Sequence, residues 1–179
     1  MRLSLKPVAE LSDDERAALE ALSASVYPPD VAAARPSRHL TWAVPDHGVL
    51  VWDDDTGSLV SYVGLLTRTG SLDGSVVRIG GIGSVKTHPR MEGRGYASAA
   101  IRRAMATLND EHRVAFSLLV CRDHLLPFYR RFGWLDFAGR VFVEQAAGRV
   151  EFTINRTMVL PGLSSAPRDG TIDLNGPPW

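Results

Sequence analysis

One stretch, residues 85–111, constrains the fold more than any other part of the chain. It predicts a strand that ends near Pro89, a short turn that contains Gly93 and Gly95, and a helix whose apolar residues recur at spacings of three and four. The first N–H groups of such a helix have no intrahelical partner, and the helix dipole adds partial positive charge there. Glycine permits positive φ angles and lets a phosphate approach the main chain. The sequence therefore predicts an anion site at residues 92–98.

This loop fits neither of the two commonest phosphate-binding motifs. It lacks the Gly-Lys-Ser/Thr ending of nucleotide-hydrolysing loops, and no third glycine completes a dinucleotide-binding fingerprint. An ordinary glycine-containing loop before a helix is the alternative, because a Gly-x-Gly sequence after a strand is a weak signal by itself.

Composition predicts one globular domain of ordinary size. Of the 179 residues, 45% are hydrophobic and 22% are charged, which is typical of a folded protein. The 20 basic and 20 acidic residues balance, so no overall field favours nucleic acid or an anionic membrane as a partner. Any anion binding must then come from local geometry.

Cysteine content and hydropathy predict the compartment. Cys121 is the only cysteine, which excludes an internal disulfide and a cysteine-rich zinc site, so we expect a reducing compartment and no metal. No run approaches the roughly 20 apolar residues of a membrane span. We therefore expect a soluble, cytoplasmic protein.

The remaining pattern predicts strands and helices that alternate along the chain. Ser12 and Glu15 have the spacing of a capping box and predict the start of the first helix, and Gly133 predicts the end of the last one. Strands are predicted at residues 3–8, 49–52, 59–66, 76–87, 114–120, 137–144 and 150–160. This order predicts an α/β (α+β) fold, a single domain with a mostly antiparallel mixed sheet and helices on both faces.

Three segments are open to more than one interpretation. Residues 30–45 are irregular and form either one wall of a substrate cleft or an arm packed on the core. Gly80, Gly81 and Gly83 lie inside a predicted strand and indicate a bulge or a close approach to its backbone. The domain is predicted to cover residues 1–160, followed by a tail, residues 161–179. The tail's composition favours loose chain, whereas burial of the Trp179 indole would hold the tail down.

Residues 92–97, Glu-Gly-Arg-Gly-Tyr-Ala, preceded by the run Val-Lys-Thr-His-Pro at 85–89, resemble the acyl-CoA pyrophosphate loop of the GNAT superfamily of N-acetyltransferases. Gly95 and Ala97 match the family pattern Gln/Arg-x-x-Gly-x-Gly/Ala, while Glu92 stands where Gln or Arg is usual. Backbone amides make most of the family's phosphate contacts, so the loop retains its main donors. The resemblance implies that acetyl-CoA is bound by Val85, Lys86, Thr87, Glu92, Gly93, Arg94, Gly95, Tyr96, Ala97 and Ser98.

Residues 128–134, Phe-Tyr-Arg-Arg-Phe-Gly-Trp, resemble a second GNAT segment, in which a tyrosine serves as general acid. The match falls on Tyr129, whose phenol would hydrogen-bond or protonate the departing thiolate. A core tyrosine with a satisfied hydroxyl is the alternative. The resemblance also implies that the Val85 N–H stabilises the oxyanion of the tetrahedral intermediate.

The sequence does not single out a general base. Some relatives carry a Glu on the fourth strand, whereas residues 81–84 here are Gly-Ile-Gly-Ser. Five candidates remain, each with a structural or solvated alternative that includes a helix-capping role for Asp123: His88, Cys121, Asp123, His124 and the terminal carboxylate of Trp179.

The C-terminal third resembles the aminoglycoside 2′-N-acetyltransferase-like branch of the superfamily, whose tail folds back to the acceptor site. That resemblance implies a substrate-binding role for Trp179, and the missing acidic residue on the fourth strand counts against aminoglycoside activity.

Together these features predict an acetyl-CoA-dependent N-acetyltransferase that acts on a primary amine of a small molecule by direct transfer in a ternary complex. Acyl transfer to an aminoglycoside or amino sugar is one alternative, and a non-catalytic acyl-CoA-binding module is the other. Neither nucleic acid nor a membrane is expected as a partner, and a homodimer is left open.

Overall fold

A mixed β-sheet flanked by four helices runs through the part of the chain that the structure, a computed structural model, describes: residues 1–34 and 37–179. The strands are β1 Arg2–Pro7, β2 His47–Trp52, β3 Leu59–Leu72, β4 Ser75–Thr87, β5 Phe116–Cys121, β6 Leu135–Asp136, β7 Arg140–Gln145, β8 Gly148–Glu151, β9 Arg156–Pro161 and β10 Thr171–Asp173. The helices are α1 Asp13–Val26, α2 Pro29–Ala33, α3 Tyr96–Ala106 and α4 Leu126–Arg130. None of these helices has the length and apolar character needed to cross a bilayer.

Most neighbours in the sheet are antiparallel. Strands β1 to β4 pair in chain order, and β9 lies between β5 and β6. The C-terminal end of β3 pairs with β10, which also pairs with β7, and β8 is the edge strand beyond it. Parallel pairing is limited to β4 with β5 and β10 with β7. The predicted fold class, a mostly antiparallel mixed sheet with helices, is confirmed.

Alternation along β2 explains why helices cover both faces of the sheet. Val49 and Val51 pack in one cluster with Ile101 of α3, whereas Leu50 packs in another with Leu22 of α1. Successive side chains of a strand point to opposite faces, so one short strand contributes to two cores. The predicted capping box is also confirmed, since Ser12 Oγ accepts the Glu15 N–H at 3.2 Å and the Glu15 carboxylate accepts the Ser12 N–H at 3.0 Å.

Strands β4 and β5 separate soon after they meet. They pair only from Ile79 to Gly81 on β4, opposite residues 116–118 of β5. Beyond that point β4 pairs only with β3, whereas β5 continues along β9. The register of β3 with β4 shifts between Tyr62 and Gly64, and Ser84 on β4 has a φ of 52°. The sheet therefore opens between β4 and β5 on the side of α3 and α4.

Several local expectations from the sequence are wrong. Residues 150–160 are divided between the end of β8 and most of β9, with the buried Phe152 between the two strands. Residues 137–144 are divided between a loop and β7. The predicted helical run to Glu111 is present, as α3 up to Ala106 and then as a π turn, Thr107–Glu111. Residues 30–45 are not wholly irregular, since they contain most of α2. Residues 35 and 36 of that segment lie outside the described chain.

The C-terminal segment is part of the sheet, although its Pro, Gly, Ser and Asp content favours a loose tail. Strand β10 lies between β3 and β7, which buries Ile172 and Leu174 completely or nearly so. The Arg68 guanidinium donates to the Pro177 carbonyl at 2.7 Å. The indole of Trp179 is buried, which is the second of the two alternatives that the sequence left open. Three apolar side chains are enough to anchor a segment that composition describes as solvated.

Candidate functional site

A cavity of about 490 Å³ lies where β4 and β5 separate. Its walls come from the end of α1, from residues 42–45, from β4 and β5, from α4 and from the C-terminal residue. Side chains or backbone of the following residues line it: Tyr27, Trp42, Ile82, Gly83, Ser84, Val85, Lys86, Cys121, Arg122, His124, Tyr129, Asn155 and Trp179. Several predicted site residues, Val85, Lys86, Tyr129 and Trp179, are therefore brought together in one cavity.

The edge of β4 beside the cavity is held by β3. The Ser61 hydroxyl donates to the Lys86 carbonyl at 2.8 Å and lies 2.9 Å from the Thr87 hydroxyl. The Lys86 ammonium lies 5.3 Å from the centre of the Tyr62 ring, within cation–π range. These contacts fix residues 86 and 87 on their β3 side, while the register shift leaves Val85 facing the opening.

The loop after β4 has the geometry of an anion site. Gly93 and Gly95 have φ angles of 74° and 86°, and an added Cβ would meet nothing within 4 Å at either position. Glycine is therefore required there for its backbone conformation and not for lack of space. The first hydrogen bond of α3 runs from the Ala99 N–H to the Gly95 carbonyl at 3.0 Å, so the N–H groups of residues 96–98 precede it. Glu92 and Arg94 are exposed beside them.

Asp53 supports this loop through a contact that the sequence does not predict. It is 6% exposed and accepts a hydrogen bond from the Tyr96 hydroxyl at the start of α3. Its second carboxylate oxygen accepts the Thr56 N–H and hydroxyl at 3.1 and 2.9 Å. The Tyr96 bond lowers the pKa of Asp53 and raises the pKa of Tyr96. The turn at residues 53–57 therefore also supports the start of α3. The sequence signal for this turn is an Asp three residues before a Thr.

Tyr129 lies on α4 with its side chain 5% exposed. Its ring packs edge to face against Phe128, at a centroid distance of 5.1 Å, and against Trp134 at 6.5 Å. Burial raises the pKa of the phenol, and the nearby Cys121 and Tyr27 raise it further. The hydroxyl is therefore protonated throughout the neutral range and can act as a hydrogen-bond donor into the cavity.

The base candidates divide according to their surroundings. His88 lies outside the cavity and its Nδ1 accepts the Arg90 N–H at 3.2 Å, which holds the turn Pro89–Met91. Burial raises the pKa of Cys121 to about 11, so its thiol does not accept a proton at neutral pH. Asp123 lines a different cavity, and the predicted cap is wrong because no side chain caps the turn Asp123–Leu125. His124 and Trp179 line the cavity with Tyr129.

Trp179 packs against the glycine-rich part of β4. Its indole N–H donates to the Leu118 carbonyl at 2.9 Å, and the Arg68 guanidinium lies 5.2 Å from the ring centre. A Cβ on Gly83 would lie 2.8 Å from the Trp179 carbonyl carbon, and one on Gly81 would overlap the indole. The close approach that these glycines predicted is therefore made by Trp179. No group of three or more His, Cys, Asp or Glu side chains in the described chain could hold a metal ion.

Comparisons with known proteins agree on one family. The model of an acetyltransferase (GNAT) domain matches residues 8–135 of this chain. The fold is similar to an acyl-CoA N-acyltransferase from Pseudomonas aeruginosa, with a TM-score of 0.60 and 21% identity over 89% of this chain and 98% of that one. It is also similar to a GNAT family N-acetyltransferase from Escherichia coli solved with CoA, with a TM-score of 0.61 and 20% identity over 98% and 91% of the two chains.

A third similar structure is a GNAT family acetyltransferase from Brucella melitensis in complex with acetyl-CoA. The TM-score is 0.56 and the identity 16%, over 96% of this chain and 94% of that one. A search of curated proteins finds none that matches this chain. At these identities the solved structures support the fold, and the domain match supports the family.

Proposed function

The chain belongs to the GNAT acetyltransferase family, and from that membership we propose that it is an acetyl-CoA-dependent N-acetyltransferase acting on a primary amine of a small molecule. The observation that carries this proposal is the combination of a sheet that opens between β4 and β5, a buried tyrosine on one side of the opening and a helix N-terminus at its end. Structures of two similar proteins contain acetyl-CoA or CoA, which supports an acyl-CoA as co-substrate.

We assign the cofactor diphosphate to the N–H groups of residues 92–98. Gly93 and Gly95 turn the chain so that these groups precede the first hydrogen bond of α3, and the helix dipole favours an anion there. The pantetheine arm then follows the β4 edge at Val85, Lys86 and Thr87, where the sheet has lost its β5 partner. The thioester would then lie within the larger cavity, beside Tyr129.

The proposed reaction is direct transfer. The neutral amine attacks the thioester carbonyl, and the Val85 N–H stabilises the tetrahedral oxyanion. Collapse of that intermediate breaks the C–S bond, and Tyr129 donates a hydrogen bond or a proton to the departing sulfur. The attacking nitrogen loses its proton to water or to His124, which lines the cavity. Because burial raises the pKa of Tyr129, the phenol is protonated at neutral pH and is available as a hydrogen-bond donor when the C–S bond breaks.

Trp179 is proposed to form part of the acceptor site. It lines the same cavity as Tyr129, and its hydrogen bond to the Leu118 carbonyl fixes the indole against β4 and β5. Trp42, from the segment that was predicted to form either a cleft wall or a packed arm, lines the cavity as well and packs on Phe152 at 6.1 Å. The acceptor would therefore bind between two aromatic side chains.

A non-catalytic acyl-CoA-binding module is the second candidate. It is favoured by one observation: among the described lining residues, no Asp or Glu side chain faces the larger cavity to act as a base. The two candidates make opposite predictions about turnover, and neither affects the proposed cofactor site.

The test is thiol release from acetyl-CoA with a panel of primary amines. We expect turnover by the unaltered chain and a decrease in kcat of about 100-fold or more in Tyr129→Phe, because general acid catalysis contributes about that much. Phe128→Leu is the matched control, since Phe128 packs on Tyr129 without a hydroxyl of its own. CoA binding measured by calorimetry with no turnover of any amine would support the module and overturn the enzyme.

A further inference from the structure

A second cavity, of about 360 Å³, adjoins the larger one. Arg122 and Asn155 line both, so the two cavities meet at these side chains. The polar part of its wall is completed by Ser37, Arg156, Asp123 and Thr153. Nothing in the proposed transfer reaction uses this cavity, and none of residues 92–98 lines it, so we place it on the acceptor side.

Two arginines near the end of the β5–β9 pair line the smaller cavity. Cys121 lies opposite Arg156 in the antiparallel register, and Arg122 is the next residue along the chain. Two guanidinium groups on neighbouring elements repel each other unless an anion lies between them. Asp123 is a weak partner for them, because its carboxylate is 3.8 Å from Arg156 and the two side chains are 79% and 55% exposed.

Positive charge exceeds negative charge around both cavities. Among the described lining residues, three side chains carry fixed positive charge, Lys86, Arg122 and Arg156, and two carboxylates oppose them, the Asp123 side chain and the terminal carboxylate of Trp179. A positively lined cleft raises the local concentration of anions and lowers that of cations. A polycationic acceptor such as an aminoglycoside would meet repulsion here in addition to its loss of hydration.

We propose that the acceptor is a primary amine that also carries an anionic group, which binds to Arg122 and Arg156 in the smaller cavity while the amine lies beside Tyr129. This inference rests on the proposed acetyl transfer and names the class of its substrate. The guanidinium fork binds a carboxylate or a phosphate through paired hydrogen bonds, and both groups share this chemistry. Asn155 and Thr153 supply neutral polar groups around the anion.

The experiment compares matched amines in the thiol-release assay. The panel contains an amino acid, its carboxamide, an aminoalkyl phosphate and a polyamine, each titrated at fixed acetyl-CoA. We expect kcat/KM to be at least about 10-fold higher for the amino acid or the phosphate than for the carboxamide, and lowest for the polyamine. The comparison of the amino acid with the phosphate identifies which anion the site prefers.

Substitutions then locate the preference. Arg122→Gln and Arg156→Gln should each lower kcat/KM for the anionic amine about 10- to 100-fold, with little change for the carboxamide. Arg140→Gln is the matched control, because Arg140 is an exposed arginine of β7 that pairs with Glu151 away from both cavities. Its kinetics should not change. CoA affinity should be the same in all three variants.

Two results would overturn this inference while the proposed function stands: turnover of the carboxamide or polyamine as efficient as that of the anionic amines, or an equal loss for charged and neutral amines in the arginine variants. If no amine is turned over, the proposed function fails and calorimetry of the chain with the amino acid and its carboxamide decides the inference. Selective binding of the amino acid that is lost in the double variant supports the anion site. Equal or undetectable binding of the two contradicts it.

Discussion

The α3 side of the site, which is the proposed cofactor path, lies on one continuous run of chain, residues 85–98, whereas the opposite side, within the larger cavity, is assembled from segments far apart in the sequence. The first side is a strand, a glycine turn and a helix start, each determined by its own residues. The second requires Tyr27 at the end of α1, Trp42, Asn155 before β9 and Trp179 to meet. A site formed by one continuous segment can be predicted from a sequence motif, whereas a site formed by distant segments cannot.

Long-range hydrogen bonds hold the assembled side together. The Ala43 N–H donates to the Pro178 carbonyl at 2.7 Å, and the Gln145 side-chain amide donates to the Thr41 carbonyl and accepts the Thr41 N–H, both at 2.9 Å. The segment that carries Trp42 is thus tied to the C-terminal segment and to β7. If the two sides are independent, variants on one side should leave ligand affinity on the other unchanged.

Gly95→Val should produce the largest effect. A β-branched residue is strained at a φ of 86°, so the turn must rearrange and the N–H groups of residues 96–98 lose their common direction. We expect CoA affinity to fall by about 100-fold or more, because several charge-assisted hydrogen bonds are lost together. Calorimetry with CoA measures the change.

Gly148→Val provides the control for strain alone. Gly148 also has a positive φ, 96°, with nothing within 4 Å of an added Cβ, but it is the first residue of β8, just after the turn from β7. Its stability cost should be similar and its CoA affinity unaltered. If Gly95→Val and Gly148→Val bound CoA with equal affinity, the diphosphate would not bind on the α3 side.

Trp179→Ala examines the assembled side. Removing a buried indole should lower the free energy of unfolding by about 3–5 kcal/mol, measured by denaturant titration. We expect the acceptor KM to rise about 10-fold and CoA affinity to stay constant. Trp179→Phe keeps an aromatic ring and loses the bond to the Leu118 carbonyl, so it should recover most of the stability. An unchanged acceptor KM in the Ala variant would make Trp179 purely structural.

Tyr96→Phe should have the smallest effect of these variants. It removes a contact between the continuous run of residues 85–98 and a residue distant from it in the sequence. The Tyr96 hydroxyl is the donor that joins α3 to Asp53 at the end of β2, so its loss leaves the start of α3 less fixed. We expect CoA affinity to fall about three- to fivefold, which corresponds to one hydrogen bond of about 1 kcal/mol. Tyr27→Phe, on the assembled side, serves as the control and should leave CoA affinity alone. A larger loss of CoA affinity in Tyr27→Phe than in Tyr96→Phe would place the diphosphate elsewhere.

The sequence predicts what its local patterns determine. Ser12 and Glu15 predict a capping box that the structure contains, and Gly93 and Gly95 predict a turn with positive φ angles. The tail is harder to predict, since the apolar residues that anchor it, Ile172 among them, are few and bury against strands from the middle of the chain. Asp53 illustrates the same limit, because its partner Tyr96 is 43 positions away. Only the fold brings such pairs together.

The most direct measurement is a crystal structure of this chain with CoA bound. We expect the diphosphate on the N–H groups of residues 92–98, the pantetheine along β4 from Thr87 to Val85, and the sulfur within hydrogen-bonding reach of the Tyr129 hydroxyl. A diphosphate bound away from the start of α3, or a sulfur on the far side of the sheet from Tyr129, would contradict this expectation.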